Sequence, residues 1–181
     1  MAQNPFEGAV PKETPSPGRG AQCGDCPPPI RRAEVSDLSA IAALYRVLFA
    51  DMAALQPRVW RPSEMSRSFI LELIAGQRSS VLVAERGGEI VGFAVVQDRD
   101  TPPLGCIIKN RFCFLLDIVV APALRGQGLG RALVSAAEEW AKERGLAWLE
   151  LNVLSENIAA IKLYEHMGMG AAQLTMRKMF D

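Results

Sequence analysis

Val119-Val120-Ala121-Pro122-Ala123-Leu124-Arg125-Gly126-Gln127-Gly128-Leu129-Gly130-Arg131 is the stretch on which the reading of this chain turns. It joins an apolar run over 112–120 to an amphipathic helix over about 128–144, which faces inward through Leu129, Leu133, Ala136, Ala137 and Trp140. The alternating glycines let the backbone turn tightly and approach a ligand without Cβ atoms intervening. Their N–H groups, at the N-terminus of a helix, form a seat for a pyrophosphate. Arg125 and Arg131 add positive charge beside it. Two rival phosphate loops do not fit. The dinucleotide fingerprint spaces its glycines G-x-G-x-x-G, whereas here they fall G-x-G-x-G and late in the chain; the Lys-Ser/Thr pair of a P-loop is absent. A Gly-rich connection with no ligand remains the alternative from this stretch alone.

Working outward, residues 112–120 are apolar almost without interruption, which predicts a strand buried on both faces. Downstream, 146–154 reads as a strand with Leu149, Leu151 and Val153 on one face and Trp148, Glu150 and Asn152 on the other. A short helix is expected over 157–167 and a final strand over 171–180. Upstream, 80–85 and 90–97 flank Arg86-Gly87-Gly88-Glu89 and predict a hairpin. A Pro- and Gly-containing loop follows over 98–110. Before the hairpin come a first strand over 30–35, a helix capped at Ser36 or Asp37, and a second helix from about Ser63 to Gly76. The first helix carries Leu38, Ile41, Leu44, Tyr45, Leu48, Phe49 and Met52 at helical spacing. This order predicts an α/β domain: one mixed sheet with helices on both faces.

The chain has 181 residues, 49% hydrophobic and 22% charged, enough for one domain with a core of its own. Residues 1–29 hold seven prolines and no apolar periodicity, so they read as a disordered tail, with the domain spanning 30–181. Twenty basic residues balance twenty acidic ones, which argues against a nucleic-acid partner. No apolar run approaches the roughly 18 residues of a membrane span, and the N-terminus lacks the apolar core of a secretory signal. A cytoplasmic location is the expectation. Cys23 and Cys26 form one C-x-x-C, but with the sole histidine, His166, far away they read as incidental thiols, and no metal is expected.

Arg125-Gly126-Gln127-Gly128-Leu129-Gly130 resembles the R/Q-x-x-G-x-G/A motif of the Gcn5-related N-acetyltransferase superfamily. Asn157-Ile158-Ala159-Ala160-Ile161-Lys162-Leu163-Tyr164 resembles that superfamily's N-x-x-A-x-x-x-Y segment. Glu165-His166-Met167-Gly168-Met169 is similar to its usual ending, with Met169 in place of Phe. The resemblance covers roughly 30–181. It implies the acyl-CoA N-acyltransferase fold, with a mostly antiparallel sheet of about six to seven strands. It further implies acetyl-CoA as acyl donor and an amine on a small molecule or polypeptide as acceptor; homodimers are common among such proteins. The strand ending Ile118-Val119-Val120 would splay from its neighbour and pair with pantetheine. Gly126, Gln127, Gly128, Leu129, Gly130 and Arg131 would hold the pyrophosphate, and Asn157 would bond pantetheine. Tyr164 would sit near the thioester sulfur.

The chemistry fits these parts. An amine must lose a proton to attack, the oxyanion needs a donor, and the departing thiolate benefits from an acid. Tyr164 is the candidate acid; on helix position alone it would be a core aromatic. Asp117 interrupts an apolar strand and is one candidate base, a carboxylate that merely ties the strand to its surroundings being the alternative. Glu150 is the second candidate. His166 reads as a surface residue. Arg58 and Trp60, between the first two helices, are candidates for holding an anionic or aromatic acceptor, against plain packing and solvation. A non-catalytic acyl-CoA sensor is the competing function.

Overall fold

The computed structural model describes residues 29–180, so the Pro-rich tail with Cys23 and Cys26, all but Pro29, lies outside the described residues. The elements, in chain order, are β1 (Ile30–Arg32), α1 (Leu38–Leu55), α2 (Arg67–Ala75), β2 (Ser79–Arg86), β3 (Glu89–Asp100), β4 (Arg111–Val120), α3 (Leu129–Glu143), β5 (Leu149–Leu151) and α4 (Ile158–His166). The sheet runs β1-β2-β3-β4-β5. Its first four strands are antiparallel and β5 joins β4 in parallel.

The central strands are apolar on both faces because both faces are covered. On one side α1 and α2 pack Ile41, Leu44, Tyr45, Ile70 and Leu73 against Val81, Val83, Phe93, Val95 and Val119. On the other, α3 and α4 pack Leu129, Leu133, Ala137, Trp140 and Tyr164 against Leu82, Ala94, Val96, Cys113 and Leu115. The β2–β3 hairpin turns at Gly87 and Gly88, whose φ angles of 62° and 83° suit glycine.

One irregularity in β4 governs the rest. Val95 of β3 pairs with Asp117 while Val96 pairs with Leu115, leaving Leu116 as an extra residue, a β-bulge. Ahead of it, Cys113 and Leu115 face the α3 side. Beyond it the parity flips, and Asp117 and Val119 face α1.

Several expectations are corrected. Residues 171–180 form no strand and all are exposed, Leu174 at 76%, Met176 at 83% and Phe180 at 80%. Among the described residues the sheet therefore has five strands, not six or seven. Alternation gives a segment strand character, but a strand exists only where a neighbouring edge bonds it, and β5 is three residues long. β5 is itself shorter than expected because β4 pairs with it only over Cys113, Phe114 and Leu115. α2 begins at Arg67 rather than Ser63, since Ser66 takes an N-cap conformation with ψ 130°. The stretch Val35–Leu55 is, by length and composition, apolar enough to cross a membrane. It lies on the sheet, with Ile41 and Tyr45 fully buried there.

Candidate active site

β4 carries the site because it outlasts its neighbour. Its last pair with β5 is Leu115–Leu151, yet it continues to Val120, so a wedge opens between the strands. Ala121 N donates to Val91 O of β3 at 2.8 Å. By the alternation of an antiparallel ladder, Val119 shares that side, while the backbone groups of Ile118 and Val120 turn away from β3 into the wedge. Of the strand residues expected to meet pantetheine, Ile118 and Val120 are therefore placed for it. Val119 is not: its amide belongs to β3 and its side chain, 5% exposed, to the α1 core.

At the end of the wedge the chain turns into α3. Gly126 and Gly128 take φ of 75° and 82°, and Gly128 is the N-cap of α3, in the left-handed region that a side chain disfavours. The first helical bond runs from Ala132 N to Gly128 O at 3.0 Å, leaving the N–H groups of Leu129, Gly130 and Arg131 without a helical acceptor. No side chain caps them. They and the helix dipole define an anion seat. Gly130 also lets α3 approach α4, since a Cβ there would lie 3.1 Å from Leu163 Cδ2.

Arg125 is committed elsewhere. Its Nη2 bonds Asp51 of α1 at 2.6 Å and its Nε donates to Val120 O at 3.1 Å, so it braces the loop against α1. Arg131 is exposed and has no ion-pair partner among the described residues. Gln127 accepts from Arg86 Nη1 at 2.8 Å, which brings a further cation beside the loop.

Across the wedge stands α4. Asn157 Oδ1 accepts from Ala160 N at 3.2 Å, making it the N-cap of the helix and leaving Nδ2 for a ligand. Tyr164 is 8% exposed and packs in the α3–α4 core; burial pushes its phenol up to about 12. No described residue bonds its hydroxyl. His166 is exposed and bonds only Lys162 O.

Of the candidate bases, Asp117 is half-buried and accepts from Tyr45 Oη through Oδ2 at 2.9 Å. Burial raises its pKa and the Tyr45 bond acts against that rise. Glu150 is exposed, pairs in register with Phe114 well before Asp117, and accepts from Trp148 Nε1 at 3.2 Å. The carboxylate next to the wedge is Asp117. Arg58 and Trp60 lie exposed between α1 and α2, Trp60 at 38%.

Sequence reasoning missed three residues: Tyr45, Asp51 and Gln56. Gln56 donates to Glu156 at 2.8 Å and accepts from Arg177 at 3.3 Å, tying the end of α1 to the β5–α4 connection and the C-terminal stretch. None belongs to a local pattern; each gains its role from a partner distant in sequence.

The sequence profile described as Acetyltransferase (GNAT) family matches residues 43–169. An uncharacterized N-acetyltransferase of Bacillus subtilis, YhfO, is 32% identical over 142 residues, covering 77% of this chain and 87% of that protein. The [ribosomal protein bS18]-alanine N-acetyltransferase of Escherichia coli is 43% identical over 99 residues, 55% of this chain and 60% of the other. Among solved structures, an aminoglycoside N-acetyltransferase in complex with CoA, AAC(6')-Iy, superimposes with a TM-score of 0.65 at 19% identity, covering 84% of this chain and 99% of that one, a likeness of fold.

Proposed function

Since the chain belongs to the acetyltransferase (GNAT) family, a family of acyltransferases, we propose that it moves the acetyl group of acetyl-CoA directly onto a primary amine. The observation that carries this reading is the wedge beside β4 ending on the unbonded N–H groups of Leu129, Gly130 and Arg131. Such a slot fits an extended amide-bearing arm with a pyrophosphate at its end. Ile118 and Val120 supply backbone groups to pantetheine, and the N–H of one of them faces the thioester carbonyl as oxyanion donor. Asn157 Nδ2 bonds the arm.

Asp117 takes a proton from the amine, directly or through water, as the nitrogen bonds the acetyl carbon. The carbon–sulfur bond then breaks, and Tyr164 gives its proton to the departing thiolate. Glu150, in water and held by Trp148, is not the base in this scheme. The acceptor enters past Arg58 and Trp60, whose exposed cation and indole suit an amine that also carries an acidic or aromatic group. The relatives include an enzyme named for a ribosomal-protein alanine and one named for aminoglycosides, so both polypeptide and small-molecule amines belong in the test. A panel of such amines, each followed by free thiol released from acetyl-CoA, tests the function. Binding of acetyl-CoA with no turnover of any amine in the panel would favour an acyl-CoA sensor.

For the exposed C-terminal stretch the partner we propose is a second copy of the chain. Support comes from Leu174, Met176 and Phe180, which share one parity and lie open to solvent, and from β5, whose outer edge is unpaired among the described residues.

A further inference from the structure

Tyr45 is the one described side chain that bonds Asp117. It is fully buried on α1, with its ring 4.7 Å from that of Phe93 and 5.8 Å from that of Phe49. A phenylalanine would serve that packing equally well. A hydroxyl carried into an apolar helix–sheet interface is costly unless it is bonded, and its partner here is a carboxylate that is itself out of place in an apolar strand. That carboxylate reaches the α1 face because the bulge at Leu116 flips the parity of β4. Two polar departures from an apolar interface thus meet at one point, beside the wedge.

We propose that Tyr45 is the positioning residue of the base: its hydroxyl anchors Asp117 through Oδ2 and leaves Oδ1 to receive the proton of the incoming amine. The proposal rests on Asp117 being that base. Oδ1 bonds no described residue, and Asp117 is half-buried, so the carboxylate keeps one open side. From α1 the titratable group facing Asp117 is Tyr45; β3 presents Val95, and the neighbours on β4 are Leu116 and Ile118, all apolar. The Tyr45 bond favours the ionised carboxylate, which burial disfavours, and so keeps a proton acceptor available at lower pH than burial alone would allow.

The test is a carbon-13 NMR titration of the full chain labelled at aspartate, for the native protein, Tyr45→Phe and Asp117→Asn. Loss of one resonance in Asp117→Asn identifies Asp117. In Tyr45→Phe its midpoint should rise by about one unit, the scale of one hydrogen bond to a charged group. The acid limb of kcat/KM, measured with acetyl-CoA and one amine from the panel, should move up by the same amount. A role in packing alone would lower the melting temperature and move neither midpoint, and that result overturns the proposal. If Tyr45→Phe does not fold, 3-fluorotyrosine incorporated in a Tyr164→Phe background leaves Tyr45 as the labelled phenol. Its stronger donation should lower the Asp117 midpoint, and an unmoved midpoint is again fatal. Undiminished kcat/KM in Asp117→Asn removes Asp117 as the base, and the proposal with it. Lost activity in Asp117→Asn with an unmoved titration in Tyr45→Phe removes Tyr45 alone.

Discussion

Tyr164 carries its proton at neutral pH, as any phenol does, and burial pushes its pKa further up, to about 12. Phe at this position should keep the packing against α3 and the affinity for acetyl-CoA. It should lower the single-turnover rate by about 10²- to 10⁴-fold, the range for general acid catalysis. An undiminished rate would reduce Tyr164 to a core aromatic. At Asp117 the sign of the pH dependence follows from its environment. A base works ionised, and burial raises its pKa, so kcat/KM should fall on acidification at a higher pH than for a solvated aspartate. A profile whose acid limb vanishes in Asp117→Asn would assign the limb; one that persists would give it to another group.

At the scale of elements, the loop leading into α3 depends on backbone shape rather than on side chains. Gly128 takes φ of 82°, with nothing within 4 Å of a Cβ placed there. Valine therefore fits in space but not in conformation, and it should turn the first N–H groups of α3 away from the anion seat. Calorimetry should show acetyl-CoA affinity reduced by about tenfold or more, each tenfold being 1.4 kcal/mol; a folded variant with native affinity would remove the loop from the site. A second element-scale device is the clamp on β3, where the buried Asp98 accepts from Arg111 and Arg78. Its side-chain hydrogen bonds, Arg111's first, lower its pKa below the unfolded value. The clamp is thus fully formed above the unfolded carboxylate range near about pH 4 and is lost as pH falls through the lowered value. Asp98→Asn should melt earlier at neutral pH and lose less stability on acidification, as read by thermal melts across pH. Equal losses in both proteins would show that the clamp contributes nothing.

For the whole molecule, the proposed pairing with a second copy is tested at the C-terminal stretch. Leu174, Met176 and Phe180 stay open to solvent in the single chain, and such an apolar row invites pairing. Sedimentation should find a dimer that becomes a monomer when Leu174, Met176 and Phe180 are all changed to Ser. A native monomer at micromolar concentration would leave the stretch unpartnered.

The loop from Val119 to Arg131, the helix from Asn157 and the sheet with helices on both faces were legible in the sequence, because glycine placement, capping and periodicity act within a few residues. The final strand over 171–180 was misread for the converse reason. Its alternation is local, but the edge that would bond it is not. The same distinction separates Tyr164 from Tyr45. Tyr164 stands in a motif, whereas Tyr45 lies at helical spacing among core residues and acquires a polar role only by meeting Asp117 across the α1–β4 contact. No periodicity foretold the bulge at Leu116, since an extra residue in one strand is visible only against its partner. The sequence by itself determined most of the elements and the glycine turn into α3, which depend on near neighbours. Only the tertiary structure decided which carboxylate lies beside the wedge, what holds it and which amides remain free, because those follow from strand register and from contacts between residues far apart in the chain.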